Sequence, residues 1–163
     1  MEKRLIMEKR LKLLFVCHGN ICRSPMAEFI MKRIVKNAGM ESRFEIGSAA
    51  TSREEIGSPV YPHARVELSK RGISCQGKTA RQIRESDFNY YDKIVVMDNM
   101  NFKNLKLFAN DSNMQKVSML MDYTDSPQDI ADPWYTNDFH KTGIEISKGC
   151  EALYKQCTME LSK

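Results

Sequence analysis

The chain has 163 residues, of which 42% are hydrophobic and 28% charged, and its formal net charge is +4. This length fits one domain with a single core, and the composition excludes a disordered chain. Lysines and arginines are scattered rather than run together, which speaks against nucleic-acid binding, and no apolar stretch approaches the ~18 residues of a membrane span.

The chain opens with "MEKRLIMEKRL", a short motif written twice, with Met7 as a candidate second start. We read residues 1–10 as an N-terminal extension and residues 11–163 as one domain. Leu11 to Val16 is apolar and precedes Gly19, which predicts a buried strand. From Ser24 the period changes. Met26, Ala27, Phe29, Ile30, Ile34 and Val35 share one helical face, Pro25 suits the first turn, and Gly39 suits the stop.

Arg43 to Ala49 reads as a second strand, and Pro62 to Arg71 as a helix ended by Gly72. Ala80 to Glu85 is a further expected helix. Asp92 to Met97 predicts a strand buried on both faces, because Ile94, Val95, Val96 and Met97 run together. A helix follows over Phe102 to Phe108, then a last strand over Val117 to Met121. Ser126 to Trp134 reads as a loop carrying two prolines, and Phe139 to about Leu161 is helical again. Alternating strands and helices predict an α/β domain with a mostly parallel sheet covered on both faces. Ligands of such sheets bind beyond the C-terminal ends of the strands.

The stretch "VCHGNICRSP", Val16 to Pro25, lies at such an end. Cys17 and Arg23 flank His18, Gly19, Asn20, Ile21 and Cys22. A loop of this length between strand and helix curls its amides toward one point and forms an anion nest. The helix start adds unpaired N–H groups and the positive end of its dipole. Gly19 and Asn20 are residue types that accept the positive φ of a tight loop. Arg23 offers a planar fork for two phosphoryl oxygens. Amides and an arginine around Cys17 favour its thiolate, and Ser24 can donate to the sulfur. The design holds a phosphate-shaped anion and aims a nucleophile at its centre. The competing roles are core packing for Cys17 and metal binding by Cys17, His18 and Cys22. That spacing fits a zinc half-site poorly, and no second pair matches it. The missing Gly-Lys-Ser/Thr ending excludes a nucleotide P-loop.

The stretch through Glu28 resembles the signature of the low-molecular-weight protein tyrosine phosphatases. "SAATS" (Ser48 to Ser52), "EIGSP" (Glu55 to Pro59), "ARQI" (Ala80 to Ile83), Asp87-Phe88, Met97-Asp98 and "DPWY" (Asp132 to Tyr135) follow in order. The resemblance runs from about residue 12 to the C-terminus. It implies a three-layer α/β/α fold with a central four-stranded parallel sheet and the phosphate-binding loop between the first strand and first helix. It also implies a phosphocysteine mechanism with no cofactor and no metal. Cys17 would be the nucleophile, Arg23 and the loop amides the phosphoryl clamp, and Asp132 the general acid. Asn20 and Ser48 would brace the loop.

Chemistry asks independently for an acid, because a phenoxide leaves poorly unless protonated. Trp134 and Tyr135 are either walls of a phosphotyrosine slot or core residues. Cys22 either packs the loop or traps oxidised Cys17 as a disulfide. Glu54 stands where animal members often carry an aromatic, Lys78 where they have a histidine, and Gly47 where they have an aspartate. His18 fills a variable place in the loop.

Arginine phosphatases of this fold carry threonine where this chain has Ile21. Arsenate reductases need a further cysteine pair, absent here. A phosphoprotein-binding module without turnover needs neither Cys17 nor Asp132. The expected partners are phosphotyrosine proteins, a tyrosine kinase among them, with inorganic phosphate as product, and the expected state is a monomer. An odd set of five cysteines at irregular spacing, with no visible secretory signal, reads as free thiols in a reducing cytoplasm.

Overall fold

The structure, a computed structural model, describes residues 9–163. The expected N-terminal extension lies outside the described residues except for Lys9 and Arg10. Strand β1 spans Leu11–Cys17 and helix α1 Arg23–Asn37. Strand β2 (Phe44–Ala50) leads to α2 (Pro62–Lys70), and the short helix α3 (Asp87–Tyr90) to β3 (Lys93–Val96). Helices α4 (Asn99–Leu105) and α5 (Asp111–Met114) precede β4 (Val117–Met119). The short α6 (Pro133–Thr136) and the long α7 (Phe139–Leu161) complete the chain.

All strand pairs are parallel, in the order β2-β1-β3-β4. The alternation of β1 sorts its side chains onto two cores. Leu13, Phe15 and Cys17 face one cluster, with Met26, Ile30 and Met31 of α1, Leu68 of α2, and Ile146, Cys150 and Leu153 of α7. Leu14 and Val16 face the other, with Phe88, Ile94, Val96, Leu105 and Val117. Leu13, Leu14, Phe15 and Val16 are fully buried. At roughly 1.5–3 kcal/mol for each large apolar side chain, they fix both the position and the register of the central strand. Positive φ at Gly39 and Gly72 ends α1 and α2 as expected.

Three expectations need correction. Residues 80–85 form no helix. Ala50 donates its N–H to the Arg81 carbonyl at 2.7 Å and accepts from the Ile83 N–H at 2.8 Å, so the segment runs extended beside the end of β2. A tertiary partner takes the groups a helix would have used internally. The helix expected at Phe102 begins at Asn99, because Asp98 and Asn101 form a reciprocal cap. The last strand stops at Met119 and turns into a 3₁₀ segment over Leu120–Tyr123.

Candidate active site

The first shared feature of the site is the C-terminal end of β1. There the chain leaves the sheet at Cys17 and re-enters regular structure at Arg23. No side chain caps α1. Its first N–H groups therefore face the loop interior, and Pro25 brings none of its own. The Cys17 sulfur lies 3.3 Å from the Asn20 N–H nitrogen, 3.4 Å from that of Ser24, and 3.0 Å from Ser24 Oγ.

Asn20 is the residue that turns the loop, with φ 59°. Gly19 does not share this conformation. A Cβ there would meet Glu55 Cγ at 3.5 Å, an ordinary contact, so the expectation of a left-handed glycine is corrected. The two N–H groups of the Asn20 amide go to Ser24 Oγ at 2.7 Å and Ser48 Oγ at 2.9 Å. Its carbonyl accepts from the Arg81 N–H at 3.2 Å. Ser48 in turn donates to Glu28 Oε1 at 2.5 Å. These assignments leave the single hydrogen of Ser24 for Cys17 or, at 3.4 Å, for the Ala49 carbonyl. The shorter contact directs it at the sulfur.

Sequence reasoning missed the far end of this relay. Glu28 is buried and also meets Lys32 at 2.6 Å and Lys78 at 3.5 Å. Lys78 donates to the Ser48 carbonyl at 3.0 Å, which explains what this unusual lysine does. Burial lowers its pKa, and the Glu28 carboxylate offsets part of that. Gly47 has a physical reason too, since a Cβ there would sit 2.9 Å from the Tyr91 hydroxyl.

Arg23 is 2% exposed. Its Nη1 donates to Asp98 Oδ2 at 2.6 Å and to the Ile130 carbonyl at 2.7 Å. Both hydrogens of Nη1 are thereby used, and the remaining donors are Nε and Nη2. Burial works against the charge, but Cys17, Asp98 and Asp132 more than compensate and hold the guanidinium pKa above its ordinary value. Asp98 serves twice, because its Oδ1 also accepts the Asn101 N–H that starts α4. The Met97-Asp98 motif was visible in the sequence, but its pairing with Arg23 was not.

Asp132 caps α6, accepting the Trp134 N–H on Oδ1 at 3.0 Å. Its Oδ2 lies 3.5 Å from Arg23 Nη2. A cleft of about 150 Å³ is lined by Cys17, His18, Gly19, Ile21, Cys22, Arg23, Glu54, Glu55, Asp132, Trp134 and Tyr135. The structure thus brings together most of the sequence-predicted residues, while Asn20, Ser24 and Ser48 sit behind the loop. Trp134 is 56% and Tyr135 83% exposed, so both are walls of the cleft rather than core residues. Glu54 reaches the rim and pairs with His18, and Glu55 beside it was not anticipated.

Cys22 is buried in the same loop, and burial, reinforced by Cys17 and Asp132, pushes its thiol well above the ordinary range. All five cysteines are free. Among the described residues, no group of three or more His, Cys, Asp or Glu is placed to hold a metal ion.

The profile of the family described as "Low molecular weight phosphotyrosine protein phosphatase" matches residues 12–163. The chain belongs to this family. It is 37% identical over 145 residues to the low molecular weight protein-tyrosine-phosphatase YfkJ of Bacillus subtilis, covering 88% of this chain and 93% of the relative. It is also 37% identical over 148 residues to the Gallus gallus low molecular weight phosphotyrosine protein phosphatase, covering 89% and 87%. The crystal structure of YfkJ superposes with a TM-score of 0.91 at 35% identity, over 94% of this chain and 98% of that one. A protein tyrosine phosphatase from Entamoeba histolytica, crystallised with Hepes in the active site, gives 0.86 at 31% identity, over 92% and 98%. As a low molecular weight phosphotyrosine phosphatase, the chain is a hydrolase of phosphotyrosine proteins, and the four-stranded parallel α/β fold is the family's own.

Proposed function

We propose that this phosphatase works through a phosphocysteine on Cys17, with Arg23 as phosphoryl clamp and Asp132 as general acid and base. The carrying observation is the aim of the groups. Two amides and one hydroxyl converge on the Cys17 sulfur within 3.0–3.4 Å, with Arg23 beside it and Asp132 across the cleft. In the first step the sulfur attacks phosphorus and the P–O bond to the phenol breaks. The Asp132 proton goes to the departing phenolic oxygen. In the second step water attacks phosphorus, its proton goes to Asp132, and the S–P bond breaks to release inorganic phosphate and the thiolate. Arg23 Nε and Nη2 with the loop amides take the three equatorial oxygens, whose charge they balance in both transition states.

The substrates in this reading are phosphotyrosine proteins, a tyrosine kinase among them. Ile21 on the cleft wall supports phosphotyrosine over phosphoarginine. One chain supplies every group named, so a monomer suffices. We propose a cytoplasmic protein whose single domain is residues 11–163, preceded by an extension. No helix among the described residues is long and apolar enough to cross a membrane.

The test is hydrolysis of phosphotyrosine and phosphoarginine peptides side by side in EDTA, with Cys17→Ser as control. Phosphotyrosine turnover that vanishes in the variant is expected. A preference for phosphoarginine overturns the substrate. Binding of phosphate analogues with no turnover of either makes the protein a binding module.

A further inference from the structure

A ladder of aromatic rings runs from the cleft mouth into the body of the fold. Trp134 meets Tyr61 edge-on, with ring centroids 5.1 Å apart at 67°. Tyr61 stacks on Phe139 at 5.7 Å and 16°, and His63 lies 5.4 Å from Tyr61 and 5.2 Å from Phe139. Phe139 is buried at the first residue of α7, while His63 is the second residue of α2. The Tyr61 N–H donates to the Ile21 carbonyl at 2.9 Å. Tyr61 therefore touches both halves of the site. Its backbone holds the phosphate-binding loop, and its ring holds the turn that carries Asp132.

We propose that Tyr61 is a positioning residue for Asp132. The inference rests on the reading of Asp132 as general acid. The link is short. Asp132 Oδ1 accepts the backbone N–H of Trp134 at 3.0 Å, so a shift of the turn that carries Trp134 re-aims the carboxyl group. Helix α6 has four residues, and Trp134 and Tyr135 on it are both exposed. So short a turn is held by its neighbours rather than by its own hydrogen bonds. The edge-on Tyr61 ring is the neighbour that joins Trp134 to the buried Phe139. Every contact in the ladder is made by the ring, so phenylalanine at position 61 serves as well as tyrosine.

Trp134 is the chain's single tryptophan, so its fluorescence reports this turn alone. The experiment compares wild type, Tyr61→Ala, Tyr61→Phe and Asp132→Asn. It reads Trp134 anisotropy and acrylamide quenching, and kcat/KM on p-nitrophenyl phosphate and on phenyl phosphate, whose phenol is the poorer leaving group. Tyr61→Ala is expected to lower the anisotropy. It should cut kcat/KM on phenyl phosphate about tenfold more than on p-nitrophenyl phosphate, a part of the roughly 10²–10⁴ that a placed acid supplies. Tyr61→Phe should match wild type in both readouts.

Equal losses on both substrates, or an unchanged anisotropy, overturn the role of Tyr61 while Asp132→Asn still discriminates between them. If Asp132→Asn does not discriminate, the reading of Asp132 falls, and this inference with it. Should Tyr61→Ala fail to fold, Tyr61→Leu keeps an apolar side chain there without the aromatic edge, and is read the same way.

Discussion

Replacing Asn20 by alanine removes the centre of the relay behind Cys17. Two donated hydrogen bonds, at 2.7 and 2.9 Å, and one accepted at 3.2 Å disappear together. At about 1 kcal/mol each, the bonds contribute about 3 kcal/mol. Alanine at φ 59° adds a further 1–2 kcal/mol of backbone strain, which asparagine tolerates better. The expected loss of stability is about 4–5 kcal/mol, which a domain in the middle of the usual 5–15 kcal/mol range survives. Asn20→Gly separates the two causes, since glycine relieves the strain but restores no bond.

Urea denaturation should place Asn20→Gly about 1 kcal/mol above Asn20→Ala, with glycine's own chain entropy holding the gain down. The kcat/KM on p-nitrophenyl phosphate should stay low in both, by at least about tenfold, the equivalent of one aimed hydrogen bond to the sulfur. If the glycine variant recovers activity along with stability, the amide's bonds do not aim Ser24 at Cys17, and the relay is wrong.

Asp98→Asn keeps an acceptor for the Asn101 N–H that starts α4 but removes the charge beside Arg23. It should cost little in melting temperature and about 10- to 100-fold in kcat/KM, the range of a lost charge-assisted bond; a variant of wild-type activity would show that Arg23 needs no such anchor. Glu54→Gln should speed hydrolysis of phosphotyrosine peptides flanked by acidic residues, an effect that fades with salt; peptide kinetics with no change would remove Glu54 from specificity.

Glu67 is buried, which alone would raise its pKa, yet hydrogen bonds from Lys70, Arg71 and His140 hold it below the ordinary 4.5. Its folded pKa is depressed, so its contribution is present above 4.5 and lost as pH falls through the folded value. The stability gap between wild type and Glu67→Gln should therefore be open at neutral pH and close in acid; a gap that widens in acid contradicts the sign. Peroxide should convert the Cys17 sulfur to the sulfenic acid, with which the Cys22 thiol condenses, releasing water and forming a disulfide that thiols reduce. Recovery of activity in thiol should then be lost in Cys22→Ser, and equal recovery in the variant leaves Cys22 a packing residue.

Much of the site was legible because its residues are neighbours in sequence. Cys17, Asn20, Arg23 and Ser24 lie along one strand-loop-helix junction of eight residues, where local geometry alone joins them. Sheet order was legible only as a class. Alternating elements imply parallel strands, but the burial of β1 between β2 and β3 follows from which faces pack. Residues 80–85 show the limit: their apolar spacing suits a helix, and Ala50, thirty positions away, claims their backbone instead.

The sequence by itself determined the loop in which the proposed chemistry starts, since Cys17, the loop residues and Arg23 are spaced by the chain itself. Tertiary structure decided what holds them in aim. Asp98 on Arg23, Glu28 and Lys78 behind Ser48, and Tyr61 under Trp134 come from distant segments. Each depends on direction and distance at a few ångströms, and those are set only when both faces of the sheet have packed.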